Sequence, residues 1–138
     1  MGALLLGGRW NSPGLPVLYA SLTFAGAMLE VLAHTGNGRI PRTQVSLRIE
    51  LPADALIEQW SLSHLPAGWA GPDLAPARSV GDEWLRSQRS LAVIVPSVVA
   101  QHESNVLMNP AHSSFDGVRH QAPEPVVWDR RLFKAKGG

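Results

Sequence analysis

A chain of 138 residues, 45% hydrophobic and 17% charged, has the size and composition of one globular domain around a single core, with no room for a second. Twelve Lys and Arg against eleven Asp and Glu give a net charge of +1, so no overall field selects nucleic acid or an anionic membrane, and any anion site must be local. The lack of cysteine excludes disulfides, thiol catalysis and thiolate zinc sites, and fits a reducing compartment, which makes the cytoplasm the expected location.

In chain order, Met1 to Leu6 has no basic n-region and too short an apolar run for a secretory signal or a membrane span. Leu6 also fails the myristoylation pattern, which wants Ser or Thr there, so a soluble protein is expected. Gly8-Arg9-Trp10-Asn11 leads through Ser12-Pro13-Gly14 as a loop. Val17 to Ala20 is a short β-prone run bounded by Pro16 and by two cap candidates, Ser21 and Thr23, so Tyr19 should project from a strand. The period then changes: Leu22, Ala25, Met28, Leu29 and Leu32 mark an apolar helix face that Gly36-Asn37-Gly38 ends. Glu30 falls in mid-helix among apolar neighbours, where a carboxylate is either on the solvated face or held by partners in a pocket. A cation, a phenol, a hydroxyl and a carboxylate on a loop, a strand and the helix behind it suit a charged, ribose-bearing ligand, and point to a nucleotide pocket.

Further on, Val45, Leu47, Ile49 and Leu51 alternate with Ser46, Arg48 and Glu50, which predicts a half-buried antiparallel strand over 44–50. Asp54 can cap a short helix through Trp60, and Leu65 to Pro76 reads as a long surface loop. Ser79 with Asp82 resembles a capping box that opens a helix through Gln88. Leu91 to Val95 is continuously apolar, a buried central strand ended by Pro96, with Ser97 just past its tip. That is a common place for a ligand contact and equally for a turn serine. Asn105 to Met108 gives another strand closed by Asn109-Pro110, Val126 to Trp128 a last one, and Lys134 to Gly138 a tail expected to fray.

Several chemistries find no support. Neither a G-x-G-x-x-G fingerprint nor a P-loop is present, and Ser97 lacks the G-x-S-x-G context of a hydrolase elbow. The five histidines show no metal-ligand spacing, so no metal is expected. Most of the five tryptophans suit core or loop anchoring, whereas Trp10, beside Arg9 in a Gly-rich loop, could stack on a planar ring.

Taken together, Gly8 to Gly14, Pro16 to Ser21 and Ala27 to His34 resemble the signature block of RES-domain toxins, named for their Arg, Glu and Ser residues. Val95-Pro96-Ser97, the stretch Asn105-Val106-Leu107-Met108-Asn109-Pro110-Ala111-His112 and the ending Asp129 to Phe133 are similar to later segments of that family in the same order. The resemblance spans roughly Gly7 to Phe133. It implies an α+β fold akin to ADP-ribosyltransferases, a twisted mixed sheet with surrounding helices. It also implies an NAD-degrading toxin of a bacterial toxin–antitoxin pair that cleaves the nicotinamide–ribose bond by hydrolysis or phosphorolysis. By position, Arg9, Tyr19, Glu30 and Ser97 would be the catalytic site, and Arg9, Tyr19, Trp10 and Asn105 would hold NAD. The implied partner is an Xre-type helix-turn-helix antitoxin, in a complex where the toxin could also pair with itself. Family members usually begin with an extra strand that carries another Arg. Only eight residues precede Arg9 here, so that edge strand is expected to be missing. Two other readings follow from the resemblance: transfer of ADP-ribose to a protein, and a non-catalytic module that binds the antitoxin.

Overall fold

The computed structural model describes residues 7–35, 38–40 and 44–133. The expectations for Met1 to Leu6, for the helix stop at Gly36-Asn37 and for the tail from Lys134 lie outside these residues. The first strand, β1, is Leu18–Ser21, and α1 follows at once as Phe24–Thr35. Of the two cap candidates, Thr23 takes the role: its Oγ1 accepts the Gly26 N–H at 2.9 Å, which satisfies one of the donors that a helix start leaves open.

The short strands β2 (Val45–Ser46), β3 (Ile49–Glu50) and β4 (Ile57–Gln59) precede α2, Ala75–Ser87. Then come β5 (Ala92–Pro96), β6 (Ser104–Met108), β7 (Arg119–His120) and β8 (Glu124–Pro125). The main sheet has the order β1-β6-β5-β4, antiparallel except where β4 runs parallel to β5. This is the twisted mixed α+β sheet that the sequence predicts, with the apolar run Leu91 to Val95 falling largely on the interior strand β5.

Register decides which residues face the same way. Tyr19 pairs with Leu107 and Ser21 with Asn105, and on the other side Val93 pairs with Leu107 and Val95 with Asn105. Side chains alternate along a strand, so Tyr19, Ser21, Asn105, Leu107, Val93 and Val95 share one face. The main core lies on that face, where Ala77, Trp84 and Leu85 of α2 pack with Val93, Val95, Leu107, Trp10 and Trp69. Trp10 stacks on Trp69 with centroids 5.7 Å apart and meets Trp60 at the same distance, while Trp60 meets Trp84 edge-on at 6.4 Å. The opposite face buries Ala92, Val106 and Met108 with help from Ala20, Leu51 and Ile94.

Gly81 is what lets α2 close on the N-terminal loop: a Cβ there would overlap the Trp10 carbonyl. Asp82, one residue on, accepts the Ser12 N–H at 2.8 Å and the Ser12 hydroxyl.

Four expected elements differ. Residues 44–50 do pair antiparallel, but as the two short stretches β2·β8 and β3·β7, between which the register slips by one residue as at a β-bulge. Their apolar side is not half-buried; Val45 is 58% exposed. The helix expected from Asp54 is instead a turn, with Ala55 N bonding Pro52 O at 3.0 Å, followed by β4, whose parallel partner β5 supplies the hydrogen bonds that a lone three-residue stretch cannot. Helix α2 starts at Ala75 and not at Ser79. Its first turn holds Pro76, where a missing N–H costs nothing, and the Ser79 hydroxyl bonds back to Pro76 O at 2.7 Å. The last strand is Glu124–Pro125, ahead of Val126 to Trp128, with Val126 N joined to Gln44 O at 3.0 Å.

Candidate active site

Three elements bring Glu30, Ser97 and Asn105 into direct contact. Glu30 lies in α1, Ser97 just beyond β5 and Asn105 in β6. The Ser97 hydroxyl donates to Glu30 Oε1 at 2.6 Å and the Asn105 amide to the same oxygen at 3.0 Å. Ser97 is itself held on both sides: its N–H bonds Glu103 O at 3.0 Å, and its Oγ accepts the Ala100 N–H at 3.2 Å. At 3% exposure it is fixed by protein, whereas Glu30 and Asn105 are only partly buried. The mid-helix carboxylate is therefore held by partners and is not a solvated helix residue.

Ser21 completes this group, donating to Asn105 Oδ1 at 2.9 Å. The sequence places the Ser21 hydroxyl beside the pocket and among the cap candidates but does not reveal its partner, which is set by cross-strand register and lies 84 positions away.

Tyr19 sits two residues before Ser21 on the same strand face, about 7 Å away by strand geometry. The residue is 40% exposed, but its hydroxyl is enclosed by Gly8, Trp10 and Asn11. The phenol donates to Asn11 Oδ1 and accepts the Trp10 N–H at 3.2 Å. Burial pushes its pKa up against the opposing Trp10 N–H, so it remains a protonated donor at neutral pH. Asn11 is fully buried, takes the Gly8 N–H at 2.8 Å and gives its own amide to Leu15 O at 2.9 Å. It is the organiser of the loop, and no pattern in the sequence marked it as more than part of a turn.

Arg9 projects from that loop. Its Nη1 donates to Trp69 O and Gly71 O, both at 2.9 Å, and its other guanidinium nitrogens have no protein hydrogen bond among the described residues. Arg78 Nε supports the same loop through Gly8 O at 2.9 Å. The ring-stacking role expected of Trp10 finds no open face: Trp10 is 4% exposed, between Trp60 and Trp69. Aromatic burial has outweighed ligand stacking there.

A RES-domain family model matches residues 1–129. The chain belongs to the RES-domain family. Among its relatives, a protein named Prs ADP-ribosylating toxin from Sphingobium sp. (strain YBL2) is 35% identical over 96% of this chain and 84% of its own length. A Toxin Res from Pseudomonas putida is 38% identical over 96% of this chain and 90% of its own. The fold of this RES domain is similar to that in the crystal structure of the M. tuberculosis MbcT–MbcA toxin–antitoxin complex. That likeness has a TM-score of 0.69 and 18% identity, and covers 95% of this chain and 76% of that one. Among the described residues, no helix is long and apolar enough to cross a membrane.

Proposed function

We propose that this RES domain is the toxin of a bacterial toxin–antitoxin pair and breaks the nicotinamide–ribose bond of NAD by hydrolysis or phosphorolysis. The observation that carries the reading is the Glu30 carboxylate, gripped through one oxygen by Ser97 and Asn105 and left with Oε2 free of protein hydrogen bonds among the described residues. In NAD, the glycosidic nitrogen of nicotinamide carries a formal positive charge. As that bond breaks, the electron pair goes to the nitrogen, nicotinamide leaves neutral, and positive charge develops on the ribose carbon and ring oxygen. A preorganised carboxylate stabilises that cation and accepts hydrogen bonds from the ribose hydroxyls. Water, phosphate or a protein nucleophile then takes the ribose carbon. No metal has a part in these steps, since the leaving group needs no further activation.

Arg9 supplies the phosphate end of the ligand: with Nη1 tied to Trp69 and Gly71, the rest of its planar fork is available to the pyrophosphate. The ring of Tyr19, an exposed residue, offers a flat surface to the nicotinamide or its ribose. Ser97 spends its single proton on Glu30, so its part is to hold the carboxylate.

A second reading, transfer of ADP-ribose to a protein, is favoured by the name of the Sphingobium relative, an ADP-ribosylating toxin. The proposed partner is an Xre-type helix-turn-helix antitoxin, in line with the toxin–antitoxin complex in which the similar fold was solved, and self-pairing within such a complex belongs to the same proposal. Its site of action on this reading is the cytoplasm. Incubation of the purified protein with NAD, with and without phosphate, tests all of this. Nicotinamide plus ADP-ribose indicates hydrolysis, a phosphorylated ADP-ribose indicates phosphorolysis, and labelled protein indicates transfer. No loss of NAD under any condition ends the enzymatic reading in favour of a binding module.

A further inference from the structure

The geometry points to Ser21 as a positioning residue, which sets the Asn105 amide and through it the Glu30 carboxylate without touching the ligand. The inference rests on the functional reading just given. An ionised carboxylate only accepts hydrogen bonds, so both groups at Glu30 Oε1 must donate. For Asn105 this fixes the amide orientation, with Nδ2 toward Glu30 at 3.0 Å, because the flipped amide would set a carbonyl oxygen against a carboxylate. That orientation places Oδ1 2.9 Å from the Ser21 hydroxyl, which must then be the donor.

The terminal torsion of Asn is soft and roughly two-fold, so the amide needs an outside partner to hold it. Cross-strand neighbours stand about 4.5–5.5 Å apart at Cβ, a span that one short hydroxyl bridges. Ser21 and Asn105 are such a register pair, at the end of β1. Ser21 has no competing duty at the start of α1, because Thr23 accepts the Gly26 N–H there. With two donors on Oε1, the plane of the carboxylate is set and Oε2 is the oxygen turned to the ribose. Removing the Ser21 hydroxyl leaves the amide held at the Glu30 end alone, so its torsion loosens and one of the two Glu30 anchors weakens.

Ser21→Ala and Ser21→Thr, compared with the wild-type protein, test this by two readouts. In NAD turnover, Ser21→Ala lowers kcat about tenfold, the loss of one charge-assisted hydrogen bond, while KM stays within about twofold. Ser21→Thr, which keeps the hydroxyl on a residue that strands favour, restores most of kcat. Independently of turnover, NMR of the Asn105 side-chain amide shows its protons exchanging faster with water in Ser21→Ala and at the wild-type rate in Ser21→Thr. Unchanged kcat and unchanged exchange in Ser21→Ala would overturn the assignment, and so would a loss that Ser21→Thr does not repair. If the wild-type protein leaves NAD intact, the functional reading fails by itself, and the amide exchange alone decides whether Ser21 orients Asn105.

Discussion

Around Glu30, side chains bond to side chains: Ser97, Asn105 and Ser21 form a chain that ends on one carboxylate oxygen. Around Arg9, side chains bond mainly to backbone: Arg9 to Trp69 O and Gly71 O, Arg78 to Gly8 O, Asn11 to Leu15 O and Tyr19 to Trp10 N. The first arrangement fixes where a charge sits, and the second fixes the path of a loop. Substitutions near Glu30 should therefore cost rate more than stability, and those of Asn11, Arg78 and the Tyr19 hydroxyl, which hold the loop, the reverse.

The largest expected effect is that of Glu30→Gln, which keeps an acceptor for Ser97 and Asn105 but removes the charge. On the NAD reading, kcat falls at least about 100-fold, on the order of 3 kcal/mol of transition-state stabilisation, with KM and Tm nearly unchanged. Full turnover in that variant would remove the distinction between the two regions. Next comes Gly81→Ala, where the added methyl meets the Trp10 carbonyl. A backbone clash of this kind, which no rotamer can relieve, costs about 2–3 kcal/mol in urea unfolding. A midpoint equal to wild type would mean that helix and loop are not in contact.

Tyr19→Phe leaves the Trp10 N–H without its partner and takes a donor from Asn11. It should cost about 1–2 kcal/mol of stability, with a smaller loss of kcat than Glu30→Gln. A kcat loss as large as that of Glu30→Gln would place the hydroxyl in the chemistry after all.

The smallest effect concerns a side-chain network with no proposed chemistry. The Ser90 hydroxyl joins Trp84 Nε1, 2.7 Å away, to Glu58, which also pairs with Arg89 at 3.1 Å. Burial raises the Glu58 pKa, but the Ser90 and Arg89 hydrogen bonds outweigh it and hold the carboxyl below its usual range. A depressed carboxylate pKa stabilises the fold above the ordinary carboxylate range and ceases to do so as pH falls through it. Glu58→Gln should thus be less stable than wild type at pH 7 by under about 1 kcal/mol, the pair being partly solvated. Urea titrations should show that gap closing toward pH 3, with NAD turnover unaffected at neutral pH.

Local pattern made much of this molecule legible. Strand β1, helix α1, the interior strand β5 and strand β6 each announce themselves by period or by an apolar run; they carry Tyr19, Glu30 and Asn105, and β5 leads directly into Ser97. What escaped reading depends on residues distant in the chain. Strand β4 is three residues long and exists because β5 runs beside it, so the local Asp54 signal suggested a helix. Asp82 looked like half of a capping box with Ser79, yet its partner is Ser12. Trp10 looked available because it neighbours Arg9, but Trp60 and Trp69, far along the sequence, close over it. Ser21 belongs with these, since only strand register reveals its partner.

The missing side chain at position 81 has a reach of its own. Because the Trp10 carbonyl occupies the space where a methyl would stand, the placement of the neighbouring Arg9 guanidinium is inherited by exclusion from a helix to which Arg9 does not belong. An alanine there would displace Arg9 through its neighbour and, on the proposed reading, mimic the loss of the phosphate-gripping side chain. Assays of variants in α2 are therefore interpretable only when folding is measured on the same samples.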